Sequence, residues 1–203
     1  MSDASTGSAS PAKSAKAVLQ RYLVGAREAL LWKLDGLPEY EVRRPLTPTG
    51  TNLLGLVKHV ASVSAEYLGS VFERPFPEPL PWFEEGAEDN ADMWATAEES
   101  REQIVGLYER VWQHADATIE ALDLDAPGRV PWWSGERSAV TLHQILIHLI
   151  AEINRHTGHA DILREQLDES AGLNARISNL PEHDAAWWKD YYARLEAAAK
   201  SAR

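Results

Sequence analysis

Apolar residues recur at three- and four-residue intervals from Val18 to Leu34, through Leu19, Tyr22, Leu23, Ala26, Leu30 and Leu31, until Gly36 and Pro38 break the pattern. That period predicts a first helix over about 14–35. The polar segment YEVRRPLTPTGTN ends in Thr51 and Asn52, both good helix caps, and a second helix is expected over 52–73. Pro75, Pro77, Pro79 and Pro81 lack a backbone N–H and push their predecessors toward extended conformations, which predicts a long crossover loop over 75–95. A third pattern (Ile104, Leu107, Tyr108, Val111, Trp112, Ala115, Ile119, Leu122) suits a helix over 96–122, with Thr96 and Glu99 as its expected capping box. A second loop, LDAPGRVPWWSGERSAV, leads to Thr141, the expected cap of a fourth helix that carries Leu142, Ile145, Leu146, Leu149, Ile150, Ile153 and Ile162 and ends near Asp168. A last amphipathic stretch covers 182–201, and neither strand alternation nor an internal repeat is visible. Four long helices joined by two long loops describe an all-α four-helix bundle with an additional C-terminal helix. The expected organisation is a disordered N-terminal tail over 1–13, the bundle over 14–170, and a C-terminal extension over 171–203 whose helix docks through Trp187, Trp188, Tyr191 and Tyr192 on the bundle or on a second subunit.

Composition narrows the chemistry. The 203 residues suffice for one packed core, and 44% hydrophobic with 25% charged residues is ordinary globular usage. Thirty-one acidic against 20 basic side chains give a net charge of −11, which repels a phosphate backbone, so nucleic acid is not an expected partner. No stretch approaches the length of a membrane span, and the first residues lack the apolar core of a secretory signal; a cytoplasmic location without membrane partners is the expectation. There is no cysteine. Disulfides, thiolate nucleophiles and thiolate-bound metals are therefore excluded, and any metal must rest on His, Asp or Glu.

Seven histidines are present, and four of them (His148, His156, His159 and His143) lie on the fourth helix. At about 100° per residue, His148, Glu152, His156 and His159 project at roughly 0°, 40°, 80° and 20°, one narrow stripe flanked by Leu146, Leu149 and Ile153. A carboxylate buried among imidazoles is costly unless it is paired or coordinated. Glu152 and His156 stand at i and i+4, a spacing from which two side chains reach one ion. A third ligand must come from a facing helix, and His59, midway along LLGLVKHVASV, is the natural candidate. Taken alone His59 carries little weight, since a core histidine usually satisfies a hydrogen bond; the facing stripe gives it meaning. Two imidazoles and one carboxylate leave positions open for water or substrate, as catalytic sites do.

The segments GTNLLGLVKHVA and HLIAEINRHTGHADILREQLD resemble the DinB-like superfamily, in particular its actinobacterial branch of unassigned function. The resemblance extends over residues 17–170 and is carried by KLDGLPEYEVRRPLTPTGTNLLGLVKHVA, by Pro131-Trp132 and by RHTGHADILRE. It implies an up-down-down-up bundle, often a homodimer, holding one divalent metal between the second and fourth helices. It places the ligands on His59, Glu152 and His156, with zinc foremost and nickel, iron or manganese as alternatives. Many members have histidine in place of Glu152, whereas related thiol-dependent isomerases use glutamate. His148 matches a recurrent histidine one turn earlier and His159 replaces a common glutamine, so both are expected to face substrate or support the ligands. The branch carries a glutamate and a tryptophan soon after its second-helix histidine, where this chain has Ser64 and Tyr67.

Two functions follow. The first is a metal-dependent transferase, isomerase or hydrolase of a small molecule, with a low-molecular-weight thiol as co-substrate and His159 or His148 as general base. The second is a metal-stabilised binding or stress-response module without turnover. Trp132 and Trp133, just before the fourth helix, are candidates for a pocket wall. Glycine-rich phosphate loops and an oriented Ser-His-Asp set are both missing from the sequence.

Overall fold

A computed structural model describes residues 14–202. The expected tail over 1–13 lies outside the described residues. The first long helix, α1 (Ala15–Trp32), opens on Ser14, whose hydroxyl accepts from the Ala17 N–H. A short helix, α2 (Glu39–Arg43), follows inside the segment expected to be loop. Pro38 begins it, and two acidic residues in its only full turn complement the helix dipole. The central helix α3 (Leu53–Tyr67) is capped by Asn52 on the Gly55 N–H, as expected, but it ends before residue 73; a 3-10 turn over Ser70–Phe72 replaces its last turn. The proline-rich crossover contains two more 3-10 turns, Pro81–Phe83 and Ala91–Met93.

Helix α4 (Arg101–Ala121) starts later than the sequence suggests. Ser100 and Gln103 form its capping box instead of Thr96 and Glu99. Glu99 does accept the Thr96 N–H at 2.7 Å, but its carboxylate is turned to the buried Lys58, and Ser100 takes over the cap. Two three-residue strands, β1 (Pro127–Arg129) and β2 (Ala139–Thr141), pair antiparallel within the second loop, too short to show an alternation in sequence. Helix α5 (Leu142–Asp168) begins at the Thr141–Gln144 capping box. Helix α6 (Ala185–Ser201) closes the chain; none of its residues is buried, and its Trp187 stacks on Tyr191 and on His183.

Side-chain bonds between helices fix their directions. Lys16 at the start of α1 donates to the Glu120 and Leu122 carbonyls at the end of α4, and Arg27 grips Asp116 through both guanidinium nitrogens, so α1 and α4 are antiparallel. Thr157 bonds to Ala26 and Arg164 to Lys33, which aligns α5 with α1. Lys58 meets Glu99 and Arg74 meets Thr118, start to start and end to end, so α3 and α4 are parallel. The order is up-down-down-up, and the bundle is all-α of the DinB type. Twelve of the fifteen residues of α3 are buried, so this helix is the axis of the core and its few polar groups must find partners there.

Candidate metal centre

His59 stands in the middle of α3 and faces α5 across the core. Its partners come from two consecutive turns of α5. His156 Nε2 and Glu152 Oε1 are 2.9 Å apart, and His59 Nε2 lies 3.8 Å from the same oxygen. The rings of His59 and His156 meet edge to face with centroids 4.7 Å apart. One donor atom each from His59, Glu152 and His156 falls within 4.8 Å of the others, the one group of this kind among the described residues. The structure thus brings together the three residues that the sequence singled out. His148 and His159 flank them. His148 is half-buried between Tyr67 and Trp133, at 4.8 and 5.1 Å between ring centroids. His159 is exposed, with its ring 5.6 Å from that of His156.

A fourth group completes the cluster from a loop position that carries no distinguishing signal along the chain. His59 Nδ1 lies 2.6 Å from Asp92 Oδ2, in the 3-10 turn of the crossover loop. A carboxylate on one imidazole nitrogen fixes the tautomer and leaves the other nitrogen's lone pair for a cation. Asp92 sits in the run EEGAEDNAD, where acidic residues are the rule and only the loop's path distinguishes one from another.

Electrostatics favour the charge states that a cation needs. Burial pushes the Glu152 carboxyl up, but its hydrogen bond to His156 and the fields of His156, His59 and His148 outweigh this and hold it below the usual carboxylate range. Asp92 behaves likewise, with burial overcome by its hydrogen bond to His59. His156 is shifted down, by burial first and the neighbouring His59 second, against the pull of Glu152. It is therefore neutral at pH values where a free histidine is half protonated. His156 Nδ1 is also buried without a hydrogen-bond partner. The donor set itself, two imidazoles and a carboxylate with one atom each within 4.8 Å of the others, suits a divalent ion, so the residues present fit a metal.

Beside the cluster, along the same face of α3, Val63, Glu66 and Tyr67 line a cavity of about 430 Å³ closed by Phe83 and Trp132. These residues follow His59 by four, seven and eight positions, which on a helix share a face. The Trp132 indole donates to the Tyr67 hydroxyl at 3.3 Å. Trp132 and Trp133 also line a second cavity of about 620 Å³ with Arg137 and Gln144. Ser64, where the resembled branch carries glutamate, is buried with its hydroxyl unpartnered. Glu66, two residues on, supplies a carboxylate to the cavity that the sequence reading passed over.

A family model described as mycothiol-S-transferase matches residues 18–169, from α1 to just past the end of α5. The chain belongs to the mycothiol-S-transferase family. This family is part of the DinB-like superfamily, and the matched span contains His59, Asp92, Glu152 and His156. The family's description points to thiol-dependent transfer and a small-molecule thiol substrate. No curated protein matches the chain. Among the described residues no helix is long and apolar enough to cross a membrane.

Proposed function

We propose that this member of the mycothiol-S-transferase family is a metal-dependent thiol S-transferase in which His59, Glu152 and His156 hold one divalent cation. The observation that carries the reading is the convergence of these three donors from α3 and α5. Imidazole and carboxylate ligands suit zinc, and nickel, iron or manganese accept the same set. A cation bound there lowers the pKa of a coordinated thiol or water toward neutrality. Glu152 offsets its charge, and Asp92 keeps His59 Nδ1 occupied so that Nε2 faces the site.

His148 packs on Tyr67, which lines the aromatic cavity, and stands one helical turn before Glu152, and it is the group we assign to take the thiol proton. His159, at the exposed edge of His156, passes a proton to solvent. The thiol sulfur forms the new carbon–sulfur bond with an electrophile seated against Val63, Tyr67, Phe83 and Trp132, and the leaving group departs with its bonding pair. Glu66 meets the polar or cationic part of that electrophile. The chain has no cysteine, so the thiol comes from outside, and mycothiol is the co-substrate that the family's description supplies.

Titrating metal-free protein with zinc, nickel, manganese and ferrous ions, then following thiol loss to a bimane or haloalkyl electrophile, tests the reading. Metal-dependent adduct formation that disappears in Glu152→Ala is expected. Protein that binds one equivalent of metal and remains inert to every thiol and electrophile would instead be a non-catalytic metal-stabilised module. Unchanged metal content in both His59→Ala and Glu152→Ala would overturn the ligand assignment.

A further inference from the structure

Lys58 directly precedes His59 and is 2% exposed, an unusual place for an ammonium group. It is fully satisfied there. Its Nζ donates to the carbonyls of Ala91 and Trp94, both at 3.0 Å, and pairs with Glu99 at 2.8 Å, while the Trp82 ring covers it at 4.0 Å. The two carbonyls bracket Asp92. Other donors hold the same segment: Asn52 Nδ2 reaches the Met93 carbonyl at 3.2 Å, and Arg43 reaches those of Thr96 and Glu99 at 3.0 and 2.7 Å. Gly55 lets the loop lie directly on α3, since a Cβ there would fall 1.8 Å from the Met93 oxygen.

We propose that Lys58 is a positioning residue for the metal centre: by pinning the 91–94 segment to α3 it sets Asp92 against His59 Nδ1 and so keeps His59 Nε2 presented to the cation. The loop has no hydrogen-bonded ladder of its own to hold that register, because its proline-rich sequence forms only isolated 3-10 turns; among the donors that hold it from outside, Lys58 is the one that grips the carbonyls on both sides of Asp92. Lys58 and His59 are adjacent on one helix and reach the same strap: Lys58 grips the backbone on either side of Asp92, and His59 takes its carboxylate. One helix therefore supplies both the ligand and the clamp for the group that orients it.

This inference rests on the proposed metal site, and its test separates the two. Zinc affinity is measured by chelator competition for the wild type, Lys58→Met, Asp92→Ala and the double variant. The tautomer of His59 is read in metal-free protein by nitrogen-15 NMR. Lys58→Met is expected to weaken zinc binding about ten- to a hundredfold, the range for lost support of a ligating histidine. It should also release His59 from its single Nδ1-protonated form, and it should cost no further affinity once Asp92 is alanine. Wild-type zinc affinity in a folded Lys58→Met protein, or losses that simply add in the double variant, would overturn the proposal. Should Lys58→Met not fold, Glu99→Gln loosens the same clamp, and a several-fold loss that vanishes in Asp92→Ala is expected of it. A wild type that binds no zinc defeats the metal site, while the His59 tautomer still decides whether Lys58 acts through Asp92.

Discussion

Two lysines are buried among the described residues, and their surroundings are nearly the same. Lys33, at the end of α1, is 0% exposed, pairs with Asp161, donates to the Gly172 carbonyl and lies over the Trp32 ring. Lys58 pairs with Glu99, donates to two loop carbonyls and lies under Trp82. Each stitches a distant loop to a core helix with a carboxylate, backbone oxygens and an indole face, which together offset the loss of hydration of the ammonium. What differs is the cargo. The segment held by Lys33 brings no group to the metal-facing histidines, whereas the segment held by Lys58 carries Asp92 to His59. The same device thus serves stability alone in one place and the geometry of a site in the other.

The largest effect expected is loss of the centre itself. His59→Ala and Glu152→Ala should each abolish stoichiometric metal retention after dialysis, measured by elemental analysis, because catalytic ions of this kind rest on three protein donors and two bind too weakly to keep one. Next come the two lysines. Lys33→Met and Lys58→Met should each lower unfolding free energy by about 1–3 kcal/mol in urea titrations, since buried carbonyls lose their donor while the partner carboxylates can rehydrate. Only Lys58→Met should also weaken zinc binding; equal zinc affinities for the two variants would dissolve the contrast. Gly55→Ala presses on the same loop without touching a charge. It should cost about 1–3 kcal/mol through overpacking and weaken zinc several-fold.

A pH titration separates the ligand cluster from its supports. His156 is depressed when folded, so the unfolded chain binds its proton first. Stability of the metal-free protein should therefore fall as pH drops from the ordinary histidine value to the lowered one, and level off below it. Asp92 and Glu152, both depressed, contribute stability that is fully present above the ordinary carboxylate range and is lost as pH falls through their lowered values. The smallest effect belongs to the helix start beside Glu99: Ser100→Ala should cost about 1 kcal/mol as a lost cap. Thr96→Ala should cost clearly less, which thermal unfolding can resolve.

Much of this was legible along the chain because helices report their own period. The α5 stripe of His148, Glu152, His156 and His159 is set by 3.6 residues per turn, and His59 stood out as the polar residue facing it. Thr141 and Asn52 are caps whose partners lie three residues away, so they too could be read locally. The misses share one cause. Thr96 and Glu99 have the spacing of a capping box, and Glu99 does accept the Thr96 N–H, but the same carboxylate also holds Lys58, forty-one positions earlier, and the helix begins at Ser100. Asp92 has acidic neighbours with the same local signature, and Glu66 lies in a helix where exposure and cavity lining look alike in sequence.

Sequence alone settled the all-α fold class and the shared face of Glu152 and His156, because apolar periodicity and i, i+4 spacing are properties of a single helix. It also excluded a thiolate from the protein itself through the lack of cysteine. Tertiary structure decided which acid orients His59, what Lys58 does beside it, and where the aromatic cavity opens. Those outcomes depend on how a proline-rich loop without its own hydrogen-bonded ladder is laid across α3, and that path is fixed only by donors distant in sequence.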